Sequence, residues 1–430
     1  MPPNATHSSP SQASAKRAAR SLVGALVGLA LAATLVNTWV VEGLFVPLVV
    51  SGGSMAPALL GAHRRWRCDE CGRTFACNLE SLPADGAAAT CPHCGAPNDQ
   101  NRGVDAPGDR VLVDRSAFCW RPPRRWETVV VRSPENPDVL CVKRVVGLPG
   151  ELIDVDEGDV LVDGAVARKD LAALRAMAVS VSGPNATERW RGDAQTWRLE
   201  DGWFVHDGRG GESIDWLSYR HAEHSVRRAR GAGQSILDAS AYDQNESRLL
   251  NEVDDVMLRC DIQAAGAGFV HVRARCRGDD FQFKLDTASG ELELAHNGRM
   301  ARRFAADDLL NPERRPSRLE FVVADRRVQF ALAGRVVAQY DYEPANVSPC
   351  VGKRVLAVGA RGARVRVRKL EVSRDVYYTA DPAGHAAQYR LGEREYFLLG
   401  DNSPHSLDSR VWLPRGRVSA SLLLGPALAW

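Results

Sequence analysis

The chain has almost no net charge. Its 55 Lys and Arg are offset by 53 Asp and Glu, which leaves +2 at neutral pH. So even a balance gives no electrostatic case for nucleic acid, and that partner is set aside. Long helical periodicity is scarce after the first forty or so residues, which points away from an α fold. A bias towards disorder is also missing, since 45% hydrophobic and 25% charged residues are ordinary for globular domains. Only Met1–Ser14, rich in Pro, Ser and Ala, reads as a flexible tail. At 430 residues the chain is too long for one ordinary core, so two or three domains are expected.

One stretch lacks charge entirely. Ser21–Val41 (SLVGALVGLALAATLVNTWVV) runs 21 residues without Asp, Glu, Lys or Arg. As a helix it spans roughly 30 Å, the thickness of a bilayer's hydrocarbon core. Lys16, Arg17 and Arg20 precede it, and only Glu42 follows closely. The positive-inside rule then makes 1–20 a cytoplasmic tail, 21–42 a transmembrane helix, and the rest extracytoplasmic. A cleavable signal peptide, cut near Ala30 or Ala32, is the rival, and a buried soluble helix a third reading. The apolar run is long for a cleaved segment, which favours the anchor.

Beyond it, period-two alternation dominates. Val111–Val113, Val129–Val131 and Val142–Val146 are short β-branched runs, and Asp163-Gly164 is a hairpin turn after Val160–Val162. Further along, Val256, Leu258, Cys260 and Ile262 alternate with polar residues, as do Phe281, Phe283 and Leu285. Leu319, Phe321 and Val323 repeat the pattern, and Asn297-Gly298 is another hairpin turn. Such strands predict an antiparallel sandwich of jelly-roll type.

Three motifs carry chemistry. Ser51-Gly52-Gly53-Ser54-Met55-Ala56-Pro57 places a serine where the backbone is permissive and a substrate chain can approach. Alone it is also a plain loop. In Val142-Lys143-Arg144-Val145-Val146-Gly147, alternation sends Lys143 with Cys141 and Val145 to one face and Arg144 to the other. Lys143 is therefore expected in an apolar interior, with its pKa lowered by burial, and Arg144 at solvent. A neutral amine is what a general base near neutral pH requires, although snorkelling to water is the commoner fate of such a lysine. Gly400-Asp401-Asn402-Ser403-Pro404-His405-Ser406-Leu407-Asp408-Ser409-Arg410 is a polar loop in which Asp408 and Arg410 can pair.

Taken in order after one apolar helix, and with Gly108–Val113 as a further box, these motifs resemble bacterial type I signal peptidase. The resemblance covers about a third of the chain. It implies Ser54 as nucleophile, Lys143 as general base and Ser406 as the serine orienting the lysine. Asp408, Arg410, Asp401 and Asn402 would support the site structurally. The Ser54 N–H would be one oxyanion donor, and Gly52 stands where some members carry a second, hydroxyl donor. Ser403-Pro404-His405 departs from the family's Arg-Asp-Asn. The implied substrates are exported preproteins cut after small residues, as in Ala-x-Ala, at the surface of membrane lipid.

The expected fold is mainly β: a transmembrane helix and a β-rich catalytic domain in three parts, 43–62, 105–168 and 376–430. A Cys-rich insertion, 63–104, and the sandwich, 169–375, interrupt it. Cys68-x2-Cys71 and Cys91-x2-Cys94, nineteen residues apart, have the spacing of a four-thiolate zinc ribbon. One structural zinc is expected and no cofactor for catalysis, since a closed thiolate shell leaves no position for water. Disulfides are the competing reading, favoured by an extracytoplasmic location. A second function, a membrane-tethered protein whose sandwich binds glycan or protein, would need a degenerate Ser/Lys frame. The sandwich is also expected to be separable from the chemistry, so that a short linker in its place leaves an active peptidase.

Overall fold

The computed structural model describes residues 12–82, 88–192, 195–209, 211–221, 235–244, 248–276, 278–305, 316–345, 355–380 and 388–429. Of the tail expected at Met1–Ser14, residues 1–11 lie outside these, and the remainder opens the helix Gln12–Val36. Arg20–Trp39 is long and apolar enough to cross a membrane, and none of it is buried against the rest of the chain. Leu22, Leu29 and Leu35 are 60% exposed or more. A stripe of that size left bare in water is unfavourable, so the helix fits a membrane anchor.

The strands that follow bring distant motifs side by side. A seven-stranded sheet runs in the order Phe45–Val49, Arg110–Asp114, Leu423–Ala429, Thr128–Arg132, Leu140–Gly147, Glu395–Leu399, Val418–Ser419. Each β-branched run predicted from alternation lies in it, and Val111, Val129, Val131 and Val145 are fully buried. Both faces of this sheet are covered. Val146, Ile153, Tyr378, Phe397 and Leu399 pack on one face, and Val129, Val131, Val145, Leu398 and Trp412 on the other. A four-stranded sheet, Ala165–Val166, Asp159–Val162, Leu152–Asp156 and Tyr389–Arg390, closes the first of these cores.

The antiparallel sandwich has the inward alternation read from the sequence. Leu258, Cys260 and Ile262 from one sheet face Phe281, Phe283 and Leu285 from the other. The Phe283 ring meets those of Phe321 and Phe330 with centroids 5.7 and 5.1 Å apart. Truncating such a ring costs about 3–5 kcal/mol, so the block has a substantial core of its own. The Cys-rich segment forms two small sheets: His63–Arg67 between Thr74–Asn78 and Val104–Ala106, and Ala89–Thr90 with Pro97–Asn98.

Candidate active site

Lys143 is carried into the sheet's interior by strand Leu140–Gly147, which pairs with Thr128–Arg132 over Leu140–Arg144 and with Glu395–Leu399 from Arg144 onward. Its side chain is buried, with Nζ 2.7 Å from Ser54 Oγ and 3.2 Å from Ser406 Oγ. Burial is the largest influence on the amine and lowers its pKa; Asp408, Cys141 and Asp401 oppose this, and Arg410 adds to it. The ammonium form is thereby disfavoured beside a hydroxyl.

The Ser54 loop is seated by Gly400 and Asn402. A Cβ at position 400 would lie 2.3 Å from Ser406 Oγ and 2.4 Å from the Ser54 carbonyl oxygen. Only a glycine lets the two loops close on each other there. The Asn402 N–H donates to the Ser54 carbonyl at 3.0 Å, and its Nδ2 donates to the Gly53 carbonyl at 3.0 Å. Beneath Ser54, Val50, Met55, Leu59 and Val111 form an apolar cluster, with Val142 packed against it.

Asp408 and Arg410 are both fully buried and paired, with Nε 2.8 Å from Oδ1 and a second contact of 2.7 Å to Oδ2. Arg410 also donates to the Thr379 carbonyl at 2.9 Å, to Ser403 Oγ at 2.8 Å and to the Ser403 carbonyl at 2.7 Å. Asp408 accepts from the Gly400 N–H at 3.1 Å. The pair fixes the loop that delivers Ser406.

One sequence expectation needs correction. Arg144 does not reach solvent. It is buried and forks onto Asp401, with Nε 2.7 Å from Oδ1, and it donates to the Trp126 carbonyl at 2.7 Å. Alternation separates two faces of a strand, but it leaves a charge at water only where one face is bare, and here neither is. The sandwich block also touches the site. Asp243 accepts from Asn402 Nδ2 at 2.8 Å, and Asn78 N–H donates to the Tyr242 carbonyl at 2.8 Å, while Lys169 pairs within the block with Asp325 and Asp375. Tyr242 and Asp243 sit in a loop with no motif around them, so nothing in the sequence marked them.

The Sγ atoms of Cys68, Cys71, Cys91 and Cys94 all lie within 4.8 Å of one another. The Cys68–Cys94 and Cys71–Cys91 separations are 3.6 and 3.7 Å. A disulfide needs about 2.05 Å, whereas four thiolates at about 2.3 Å from one tetrahedral ion stand roughly 3.8 Å apart. The donor set fits a four-thiolate ion. Cys77 is outside it, with its Sγ donating to the Ala241 carbonyl.

The family described as signal peptidase, peptidase S26, matches residues 104–209 and 343–430. These matches support the signal peptidase family. The matched segments carry Lys143, Ser406, Asp408 and Arg410 and begin after Ser54, which the Cys-rich segment separates from them in sequence. A signal peptidase I of Leptolyngbya laminosa is 38% identical over 63 residues, 13% of this chain and 31% of that protein. The mitochondrial ATP-independent inner membrane protease subunit 1b of Arabidopsis thaliana is 44% identical over 46 residues, 11% of this chain and 27% of that protein. The chain thus spans less than a third of the length of these two relatives. A solved carbohydrate-binding module, CBM66 from Bacillus subtilis, is similar at 9% identity with a TM-score of 0.28, covering 43% of this chain and 95% of that one.

Proposed function

We propose that this chain is a membrane-anchored serine endopeptidase that removes N-terminal signal peptides from exported preproteins. The observation that carries this reading is the 2.7 Å contact between Ser54 Oγ and the buried Lys143 amine. Neutral Lys143 takes the Ser54 proton as Oγ attacks the scissile carbonyl, and the ammonium returns it to the departing amine. Water then attacks the acyl-enzyme, giving its proton to Lys143, and the carboxylate product leaves as Ser54 Oγ is reprotonated. Ser406 Oγ orients the amine throughout. Because Gly52 has no hydroxyl to offer, the oxyanion relies on backbone donors, the Ser54 N–H among them.

Several features favour a signal-peptide substrate. The pairing of strand Leu140–Gly147 with Glu395–Leu399 stops at Arg144, so Leu140–Val142 extends beyond it, close to Lys143. An extended peptide can add there as a strand, with a small side chain over Val50, Met55 and Leu59. Leu44 and Val49, which follow the helix, and Leu428, two strands away, stay exposed and suit contact with lipid. The basic residues before the helix support a cytoplasmic N-terminus and a catalytic domain outside the cytoplasmic membrane.

The pH profile tests the base directly. Because the Lys143 pKa is lowered, kcat should rise with pH through that lowered value and level off below the ordinary lysine range. A rise that levels off only at the pKa of an exposed lysine would contradict a desolvated base.

We place one structural zinc on Cys68, Cys71, Cys91 and Cys94, where it would tie the two small sheets together and take no part in the chemistry. The purified chain is expected to contain about one zinc, and Cys68→Ser to lose it. Metal-free protein with all four cysteines oxidised would establish disulfides instead.

A further inference from the structure

The sandwich block reaches the peptide bond that precedes the nucleophile. The Gly53 carbonyl, held by Asn402 Nδ2, belongs to the same planar trans peptide as the Ser54 N–H, so fixing one end aims the other. The Asn402 amide has one further hydrogen, and it goes to Asp243 Oδ2 at 2.8 Å. Asp243 is buried and held in turn by Ser81 Oγ, 3.3 Å from Oδ1. Its neighbours are pinned to the Cys-rich segment: the Tyr242 carbonyl accepts from Asn78 N–H, and Gln244 exchanges two hydrogen bonds with the Thr90 backbone at 2.8 and 2.7 Å. The Tyr242 ring lies so close over Gly53 that a Cβ there would be 2.8 Å from a ring carbon.

We propose that Asp243 is a positioning residue for the peptidase reaction. Through Asn402 it holds the Gly53–Ser54 peptide plane and so aims the Ser54 N–H at the oxyanion. The proposal rests on the reading of Ser54 as nucleophile. A carboxylate suits the role because a charged acceptor makes the shorter, stronger bond to an amide N–H. Losing it frees the amide to rotate, and the plane it holds loosens with it.

The test compares kcat and KM of the full chain, in detergent, for wild type, Ser54→Ala, Asp243→Ala and Asp243→Asn on a preprotein bearing a signal peptide. Asp243→Ala should lower kcat by about 10- to 100-fold, short of the loss for removing an oxyanion donor outright, with KM changed by less than about twofold. Asp243→Asn can still accept from Asn402 through Oδ1 and donate to Ser81 through Nδ2, and should restore kcat to within about threefold of wild type. If Asp243→Ala does not fold, Asp243→Ser, too short to reach Asn402, is expected to show the same loss. Wild-type kcat in the Ala or Ser variant, or an equal loss in Asp243→Asn, overturns the proposal. Cleavage that survives Ser54→Ala overturns the reading beneath it instead.

Discussion

Lys143→Met is expected to leave a folded protein whose preprotein cleavage is slower by at least about 10³-fold, with Ser54→Ala adding almost nothing to that loss. The two groups act as one unit. A serine hydroxyl without a base at 2.7 Å is a poor nucleophile, and the amine without that hydroxyl has nothing to activate. Methionine keeps the length and apolar body of the lysine, which lies near the Trp412 ring. Stability should not suffer. Between the lowered folded-state pKa of Lys143 and the ordinary lysine value, the unfolded chain binds a proton that the folded chain does not. Folding at this site is therefore favoured as pH rises through that window and penalised as pH falls through it. The Met variant loses that dependence, so at neutral pH it should melt no lower than wild type. Independent, additive losses for the two substitutions would mean that the residues do not share one chemical step.

The largest structural effect is expected from Asp408→Ala. It would leave the Arg410 guanidinium fully buried without its carboxylate, at a cost of about 3–5 kcal/mol. Hydrogen exchange of the amides in Glu395–Leu399 reads this locally, and protection there should fall by about two to four orders of magnitude. The double variant Asp408→Ala, Arg410→Met removes both charges and should be less damaged than the single one. If the double variant loses as much protection as the single, the cost arises from packing and not from a stranded charge.

Alternation made the strands legible, because a sandwich with one core face writes its pattern residue by residue, as Leu258, Cys260 and Ile262 do. The zinc-type spacing was legible for a similar reason: two local knuckles need only local sequence. The contact of Ser54 with Lys143 was not. The two residues are 89 positions apart, and only resemblance to a family linked them before the fold set the Ser54 loop against strand Leu140–Gly147. Arg144 was misplaced because the strand pattern cannot say whether its second face is covered by Tyr378 and Phe397. Asp243 was invisible, since a loop residue that acts through Asn402 leaves no period, motif or spacing behind. A block boundary drawn from strand patterns likewise gives no sign that Asp243, inside 169–375, reaches Asn402.

The most direct measurement is cleavage of a preprotein with an Ala-x-Ala site by the purified full chain and by Ser54→Ala, with the product's new N-terminus sequenced. A single cut after the second small residue is expected from the wild type and none from the variant. A wild-type chain that binds the preprotein without cutting it, or a Ser54→Ala chain that cuts as well as wild type, would contradict the proposed function.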